Sequence, residues 1–335
     1  QVPGYHVGGW YDIFMGGTWR NYAGIKARGG SDAARRGQRL MIGPGFHGPF
    51  DGRTGELDFG PAARSADGKP FDNDEVMLRW YDSVLKGESN GVEREKPVKI
   101  FVMGENAWRE EDDWPLARAK STRYYLRSEG NANSLLGDGV LSTEAPQTET
   151  TDHFFYNPTD PVPTRGGGLC CDNERLASGA FDQRPIESRG DVLVYTTPEF
   201  KAAFEVTGPV SLELYASSSA VDTDFTAKLV DVWPNGFAQN LTDGILRARY
   251  RRSPEKPEFM NPGEIYKLTI DLWATSNVFK AGHRLRLEVS SSNFPRFDRN
   301  LNTGELAAGS TRMVKATNTI FHDREHPSAL ALPVV

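Results

Sequence analysis

Hydrophobic positions follow two different rhythms along this chain, and the change comes near residue 120. Before it, short apolar runs alternate with segments of helical spacing. Tyr5–Asp12 and Leu40–His47 read as strands, the first ending in a carboxylate and the second leading into a loop that carries an imidazole. Between them Phe14, Met15, Trp19, Tyr22 and Ile25 recur near helical spacing, which predicts a helix over 14–28 stopped by Gly29-Gly30. A strand–helix–strand unit of this length is what a parallel sheet requires. A polar, Gly-rich stretch runs from Pro49 to Pro70. A second helix is predicted over 72–86, with Val76, Leu78, Trp80, Tyr81, Val84 and Leu85 as its apolar face and Gly87 as its stop. Pro97–Met103 reads as a strand leading out of this first region.

From about Ser121 the pattern turns to short alternating strands separated by turn residues. Arg123–Leu126, Val192–Tyr195, Val210–Tyr215, Phe225–Val232, Ile245–Tyr250, Ile265–Leu272 and Arg284–Val289 are the segments predicted. Regular spacing with few helical stretches predicts a β-sandwich, most simply a jelly roll. The expected fold class is α/β followed by all-β. The length of 335 residues is enough for two cores, and the boundary is expected at 118/119.

Composition adds exclusions. A net charge of −6 argues against a nucleic-acid partner. No run of about 18 apolar residues marks a spanning helix, so no membrane partner is expected. The chain opens on Gln rather than Met, so the lack of a signal peptide leaves localisation open between cytoplasm and export. The only cysteines, Cys170 and Cys171, are adjacent; a bridge between neighbours is uncommon, and no disulfide framework or zinc spacing is expected.

The chemistry concentrates in Asp12 and His47. Both fall just past the carboxyl ends of predicted strands, the edge where α/β sites are built. A serine hydroxyl needs an imidazole to take its proton, and the imidazole needs a carboxylate to fix its tautomer. In α/β-hydrolases the triad runs Ser, then acid, then His, so the nucleophile is expected before Gln1. The plainer reading makes Asp12 a cap on the following helix and His47 a loop residue packed on Pro44 or Phe46. Gly87-Glu88-Ser89-Asn90-Gly91 matches the written form of a nucleophile elbow, but it follows a helix and comes after both Asp12 and His47. It is therefore read as a helix-terminating turn. Asp222 and Asp224 lack the oxygen-ligand spacing that calcium wants and are read as structural hydrogen-bonding groups. His283 and His6 are read as structural, and His153, His322 and His326 have no partner that the sequence reveals. No metal and no cofactor are expected.

Several stretches together resemble one family. They are Gly9-Trp10-Tyr11-Asp12 with Phe14, Gly43-Pro44 with His47, Phe101–Gly104 with Trp108-Arg109, and Trp114-Pro115-Leu116. The longest are Ser217–Leu229 and Ser290–Asn300. In these the chain is similar, essentially end to end, to the C-terminal portion of CocE/NonD (X-Pro dipeptidyl-peptidase S15) serine hydrolases. The resemblance implies the C-terminal remainder of an α/β-hydrolase domain over 1–118 and a jelly roll over 119–335. It implies Asp12 as triad acid and His47 as general base. The nucleophilic serine, the oxyanion hole and a helical cap would lie in an N-terminal fragment that partners this chain. Phe14 matches a position lining the acyl pocket. Leu169-Cys170-Cys171, after Gly166-Gly167-Gly168, matches the segment where the jelly roll reaches the substrate. The family's cocaine-hydrolysing member has bulkier apolar residues there, which argues against cocaine-like aromatic esters as the preferred substrate.

The expected function is cleavage of a small-molecule ester or amide through an acyl-enzyme, with esterase, acylase and X-Pro dipeptidyl-peptidase chemistry all open. The alternative is a ligand- or carbohydrate-binding jelly roll with a degenerate hydrolase remnant. Homo-oligomer formation is left open.

Overall fold

The computed structural model describes residues 2–48, 50–65, 67–69, 71–148, 150–172 and 174–335. Pro49 and Pro70, the ends of the polar stretch, lie outside the described residues. The first region runs β1 (Gly4–Tyr11), α1 (Met15–Arg28), α2 (Asp32–Arg36), β2 (Gln38–Phe46), a short ladder of β3 (Arg53–Thr54) with β4 (Leu57–Asp58), α3 (Asn73–Lys86), β5 (Val98–Val102) and β6 (Ala107–Glu111). The sheet order is β1-β2-β5-β6: β1, β2 and β5 are parallel, and β6 closes one side antiparallel. Leu40, Met41 and Ile42 are fully buried with Val98, Ile100, Phe101 and Val102, as parallel strands covered on both faces require. β1 is the opposite edge and, among the described residues, pairs only with β2.

Helix α3 departs from expectation. Asp72 caps it, its carboxylate accepting from the N–H groups of Asp74 and Glu75, and Gly87 ends it in the left-handed region at φ 72°. Of the predicted apolar face, however, only Trp80 is buried; Leu78, Tyr81 and Leu85 are exposed. The helix leans on the sheet through Trp80, whose ring lies 5.9 Å from that of Tyr5, and the rest of its stripe turns away.

The second region comprises β7 (Lys120–Arg127), β8 (Val140–Ser142), β9 (Asp152–Tyr156), α4 (Arg184–Glu187), β10 (Leu193–Thr196), β11 (Phe204–Ser218), β12 (Asp224–Val232), β13 (Ala238–Arg247), β14 (Tyr266–Phe279), β15 (Arg284–Ser290), β16 (Ala316–Phe321) and β17 (Ala329–Val334). They form one hydrogen-bonded array, β13-β12-β15-β10-β8-β7-β17-β11-β16-β9, with β14 added on β11. The array folds over as a β-sandwich, and β14 lies across β13. Alternation drives it: along β11, Val210, Leu212, Leu214 and Ala216 are buried while Ser211, Glu213 and Tyr215 face outward.

One predicted strand is misplaced. The segment expected at 245–250 begins at Ala238 and stops at Arg247, and 248–250 is a 3₁₀ turn. The buried Asp222 carboxylate takes both the backbone N–H and the guanidinium of Arg249, at 2.9 and 2.8 Å, and pulls this stretch out of the ladder. Asn300 donates to Asp222 and Asp224 at 2.7 and 2.8 Å, and Arg247 pairs with Asp224. The two aspartates therefore join three segments of the sandwich by hydrogen bonds.

A continuous apolar core links the two regions, from Trp10, Tyr22 and Phe101 to Leu268, Leu272 and Phe279. Polar ties reinforce it. The Tyr11 hydroxyl donates to the Asn240 carbonyl at 2.9 Å, Met103 exchanges backbone hydrogen bonds with Ser276 and Val278, and Arg109 grips Glu205 with two bonds.

Within the sandwich, Glu187 is buried against Arg286, 2.5 Å away, close to the Lys228–Glu288 pair. Burial and the Glu288 charge push its carboxyl up from 4.5 to about 7, against the pull of Arg286 and Lys228. The folded chain thus holds this proton more tightly than the unfolded chain. The resulting stability is complete below about pH 4.5 and is lost as pH rises through about 7. Glu187→Gln is expected to flatten that loss, so that Tm falls less than in the wild type between about pH 5 and pH 8 in thermal unfolding followed by circular dichroism. An unchanged pH slope would exclude Glu187 as its source.

Candidate active site

The site begins in strand register. β1 and β2 pair in step from Gly4↔Gln38 to Gly9↔Gly43, but Tyr11 then pairs with Phe46, so β2 carries one extra residue at Pro44–Gly45. This bulge advances β2 by one position. The residue after Tyr11 is Asp12, the residue after Phe46 is His47, and the two come face to face. Had the pairing stayed in step, Asp12 would face Phe46. The bulge has a steric condition: a Cβ on Gly9 would lie 2.2 Å from the carbonyl oxygen of Gly45, so only glycine fits there. The Pro44 carbonyl is held from the far side by the Thr54 hydroxyl at 3.0 Å.

Asp12 is almost buried. Its Oδ2 lies 3.2 Å from Nδ1 of His47, and its Oδ1 accepts the Phe14 N–H at 2.7 Å, at the mouth of α1. The plainer reading therefore describes one of its oxygens, and the other is committed to the imidazole. The His47 side chain is 47% exposed, and Nε2 has no partner among the described residues. The Phe14 ring stands edge-on to the imidazole, with centroids 5.0 Å apart at 81°, and is itself largely exposed. Beside it an open groove follows the free edge of β1, lined by His6, Val7, Phe14, Gly17, Thr18 and Asn21.

The sandwich meets Asp12 itself through the glycine-rich segment that leads to Leu169. Gly167 exchanges backbone hydrogen bonds with Gly179, and Leu169, buried, pairs as an isolated parallel bridge with Asp12. Cys170 and Cys171 follow directly, the first half-buried and the second exposed. They are joined to each other as a disulfide, with Cys171 in the left-handed region at φ 76°. The sequence marks such a bridge as uncommon; the structure forms it. No distant partner is involved; the bridge closes a small ring within one loop. The structure thus gathers Asp12, His47 and Phe14 directly and brings in the cysteine segment through Leu169.

Other candidates fall elsewhere. Ser89 is exposed between the end of α3 and a 3₁₀ turn, with no strand before it. Among the histidines, His283 is bonded to buried Asp231 at 2.8 Å and His6 to Gln38 at 2.8 Å. His153 lies between the hydroxyls of Thr151 and Thr319, and His326 sits against Asp323. The sequence missed one grouping entirely: Ser128, Asp152 and His322 meet inside the sandwich. Both Ser128 Oγ and Asp152 Oδ2 contact the same ring nitrogen, Nε2, at 3.2 and 2.8 Å, and both the imidazole and the carboxylate are fully buried. Burial works to raise the Asp152 pKa, but donors from His322, the Ala132 N–H, Ser128 and Tyr195 outweigh it and hold the carboxyl below its usual range. Only three-dimensional contact joins these residues, at separations of 24 and 194 positions, so no spacing signal announces them. Among the described residues no group of three or more His, Cys, Asp or Glu is placed to hold a metal ion.

The family described as the X-Pro dipeptidyl-peptidase C-terminal non-catalytic domain matches residues 90–331, a span that begins after both Asp12 and His47. The chain is 45% identical over 337 residues to cocaine esterase of Rhodococcus sp. (strain MB1 Bresler), covering 100% of this chain and 56% of that protein. A solved aminopeptidase from a marine sediment archaeon, Thaumarchaeota archaeon, superposes with a TM-score of 0.85 at 28% identity, over 100% of this chain and 55% of that one. An α-amino acid ester hydrolase superposes with a TM-score of 0.82 at 26% identity, over 100% and 56%. The chain spans about half the length of the relatives it matches. It belongs to the CocE/NonD hydrolases, matches their C-terminal portion, and carries the X-Pro dipeptidyl-peptidase C-terminal domain.

Proposed function

We propose that this chain supplies the acid and the base of a serine hydrolase that cleaves a small-molecule carboxylic ester or amide through an acyl-enzyme. The observation that carries the reading is the Asp12–His47 contact at the carboxyl ends of adjacent parallel strands, with the imidazole about half exposed and Nε2 without a partner among the described residues. In this reading residues 1–118 are the C-terminal part of an α/β-hydrolase domain and 119–335 a jelly roll. The nucleophilic serine, the oxyanion donors and the cap belong to residues N-terminal to this sequence. Two facts support that division: the relatives are about twice as long, and β1 has an unpaired edge in a parallel sheet.

The chemistry follows from the ring nitrogens. Asp12 Oδ2 accepts the Nδ1 proton and so leaves Nε2 with its lone pair free for the serine hydroxyl. As the hydroxyl oxygen attacks the substrate carbonyl carbon, Nε2 takes its proton, and the Asp12 carboxylate stabilises the imidazolium. The imidazolium returns that proton to the departing alcohol or amine as the tetrahedral intermediate collapses to the acyl-enzyme. Water, activated by the same nitrogen, then cleaves the acyl-enzyme. The Phe14 N–H, donated to Asp12 Oδ1, keeps the carboxylate from rotating away from Nδ1. Phe14 and the Cys170–Cys171 ring form the acyl side of the pocket. The domain called non-catalytic begins after both triad residues, so its description is compatible with this assignment.

In the full-length protein, His47→Ala is expected to abolish fluorophosphonate labelling and p-nitrophenyl ester hydrolysis, and Asp12→Asn to lower kcat by about 10⁴. Ser89→Ala is expected to change neither. Labelling of Ser89 in the 335-residue chain alone, or normal turnover in His47→Ala, would sink the assignment. For the pocket wall, Phe14→Ala and the double variant Cys170→Ala/Cys171→Ala are expected to raise KM for bulky acyl esters by about tenfold, the scale of a lost apolar contact, with kcat much less affected. Unchanged KM across an acyl-size series would remove these residues from the pocket.

A further inference from the structure

The segment Asn293–Asp298 interleaves aromatics with polar groups, and the proposed chemistry leaves it without a role. Its Arg296 is unusual. The side chain is 4% exposed, its guanidinium is ion-paired through Nη1 with Asp243 of β13, and Asp243 is in turn bonded by Asn293 at 3.0 Å. The same guanidinium lies 5.3 Å from the ring of Trp273 and 5.0 Å from that of Phe297. The planar cation is thus clamped between a carboxylate and aromatic faces, a geometry that suits arginine and not lysine.

Both sides of this clamp lead to Asp12. On one side is the glycine segment. A Cβ on Gly167 would lie 3.2 Å from Arg296 Nη1, and one on Gly168 would lie 3.3 Å from Nη2 and 3.1 Å from the Asp12 carbonyl oxygen. Gly168 is therefore a spacer of one hydrogen's thickness between the guanidinium and the Asp12 backbone, and the next residue, Leu169, pairs with Asp12. On the other side is Trp273, a bulky residue in the left-handed region at φ 63°. That conformation carries its ring onto the first turn of α1, so closely that a Cβ on Gly16 would lie 2.9 Å from it. The Trp273 N–H is bonded to Asp271 Oδ1 at 2.8 Å, and Asp271 is ion-paired with Arg20 of α1. The α1 turn seated by Trp273 is the one that opens with the Phe14 N–H donated to Asp12 Oδ1.

We propose that Arg296 is a positioning residue for Asp12: borne on the sandwich, it fixes the acid's backbone through Gly168 and its helix turn through Trp273. The sandwich thereby sets the geometry of the Asp12–His47 pair as well as covering it. The inference rests on the triad reading above, because it assigns Arg296 no contact with substrate.

The test uses the full-length protein, with active sites counted by fluorophosphonate titration. Arg296→Lys keeps the charge for Asp243 and removes the planar stack; Gly168→Ala puts a methyl group between the guanidinium and the Asp12 carbonyl. Each is expected to lower kcat per titrated site by about tenfold or more, as small displacements of a reacting group do, with KM nearly unchanged. Each is also expected to broaden or remove the low-field proton resonance of the His47 Nδ1–H···Asp12 hydrogen bond. The inference is overturned if a folded variant keeps wild-type kcat per titrated site and that resonance, or if activity falls only in proportion to the folded fraction. Should Arg296→Lys fail to fold, Gly168→Ala alone decides. His47→Ala serves as the separate arm. If it retains labelling, the triad reading falls; if it loses labelling while Arg296→Lys and Gly168→Ala behave as wild type, only the positioning role falls.

Discussion

The pairing of β1 with β2, and the one surplus residue that β2 carries at Pro44–Gly45, decide which side chains meet at the carboxyl end of this sheet. Parallel neighbours in register present equivalent positions to each other, so a carboxylate one residue past β1 meets whatever lies one residue past its partner on β2. Without the bulge that residue is Phe46; with it, the residue is His47. The bulge in turn exists only because Gly9 leaves room for the Gly45 carbonyl. A backbone contact in the middle of the sheet thus sets a side-chain contact at its end, and the 3.2 Å between Asp12 and His47 is a consequence of strand register.

Register alone places two side chains near each other but does not hold them. Asp12 is held by three backbone segments: its own strand, the first turn of α1 through the Phe14 N–H, and the Leu169 bridge from the sandwich. His47 has far less around it, being about half exposed with one ring nitrogen committed. The asymmetry suits the two roles. In the proposed roles, the group that orients is immobilised and the group that exchanges protons is left about half exposed. The continuous core, the Tyr11–Asn240 bond and the Arg109–Glu205 pair join sandwich and sheet into one packed unit, so the sandwich packs directly against the elements that carry Asp12.

How much of this is legible from the chain depends on whether the cause is local. Helix α3 is marked by Asp72 and Gly87, and both act as a cap and a stop should; its exposed Leu78 and Leu85 are not readable, because periodicity reports an apolar face without reporting what covers it. β11, β12 and β15 follow from alternation. The Asp222–Arg249 contact that cuts β13 short is non-local, as are the small-residue strand β16 and the brief β8 and β9, so a window along the chain misses them. At the site, Asp12 and His47 are visible as chemistry at strand ends, whereas the bulge that pairs them is hidden in Gly43-Pro44-Gly45. Bridges between neighbouring cysteines are uncommon and nothing in the sequence announces this one; a loop that admits the left-handed region at Cys171 accommodates it.

The buried Ser128–Asp152–His322 group shows why geometry and access must decide between constellations of the same residue types. A relay needs the imidazole to face the carboxylate with one nitrogen and the hydroxyl with the other, so that a proton gained on one side is stabilised from the opposite side. In the sandwich both partners crowd a single nitrogen, Tyr195 adds a further donor to the same carboxylate, and neither the imidazole nor the carboxylate meets solvent. Such a cluster satisfies buried polar groups and ties strands together. At Asp12 and His47 the carboxylate reaches the ring through Nδ1, Nε2 has no partner among the described residues, the imidazole is about half exposed, and the pair stands at the carboxyl end of a parallel sheet. The same three residue types would satisfy either description on paper. Which nitrogen each partner touches, and whether a substrate can arrive, separates the structural cluster from the site.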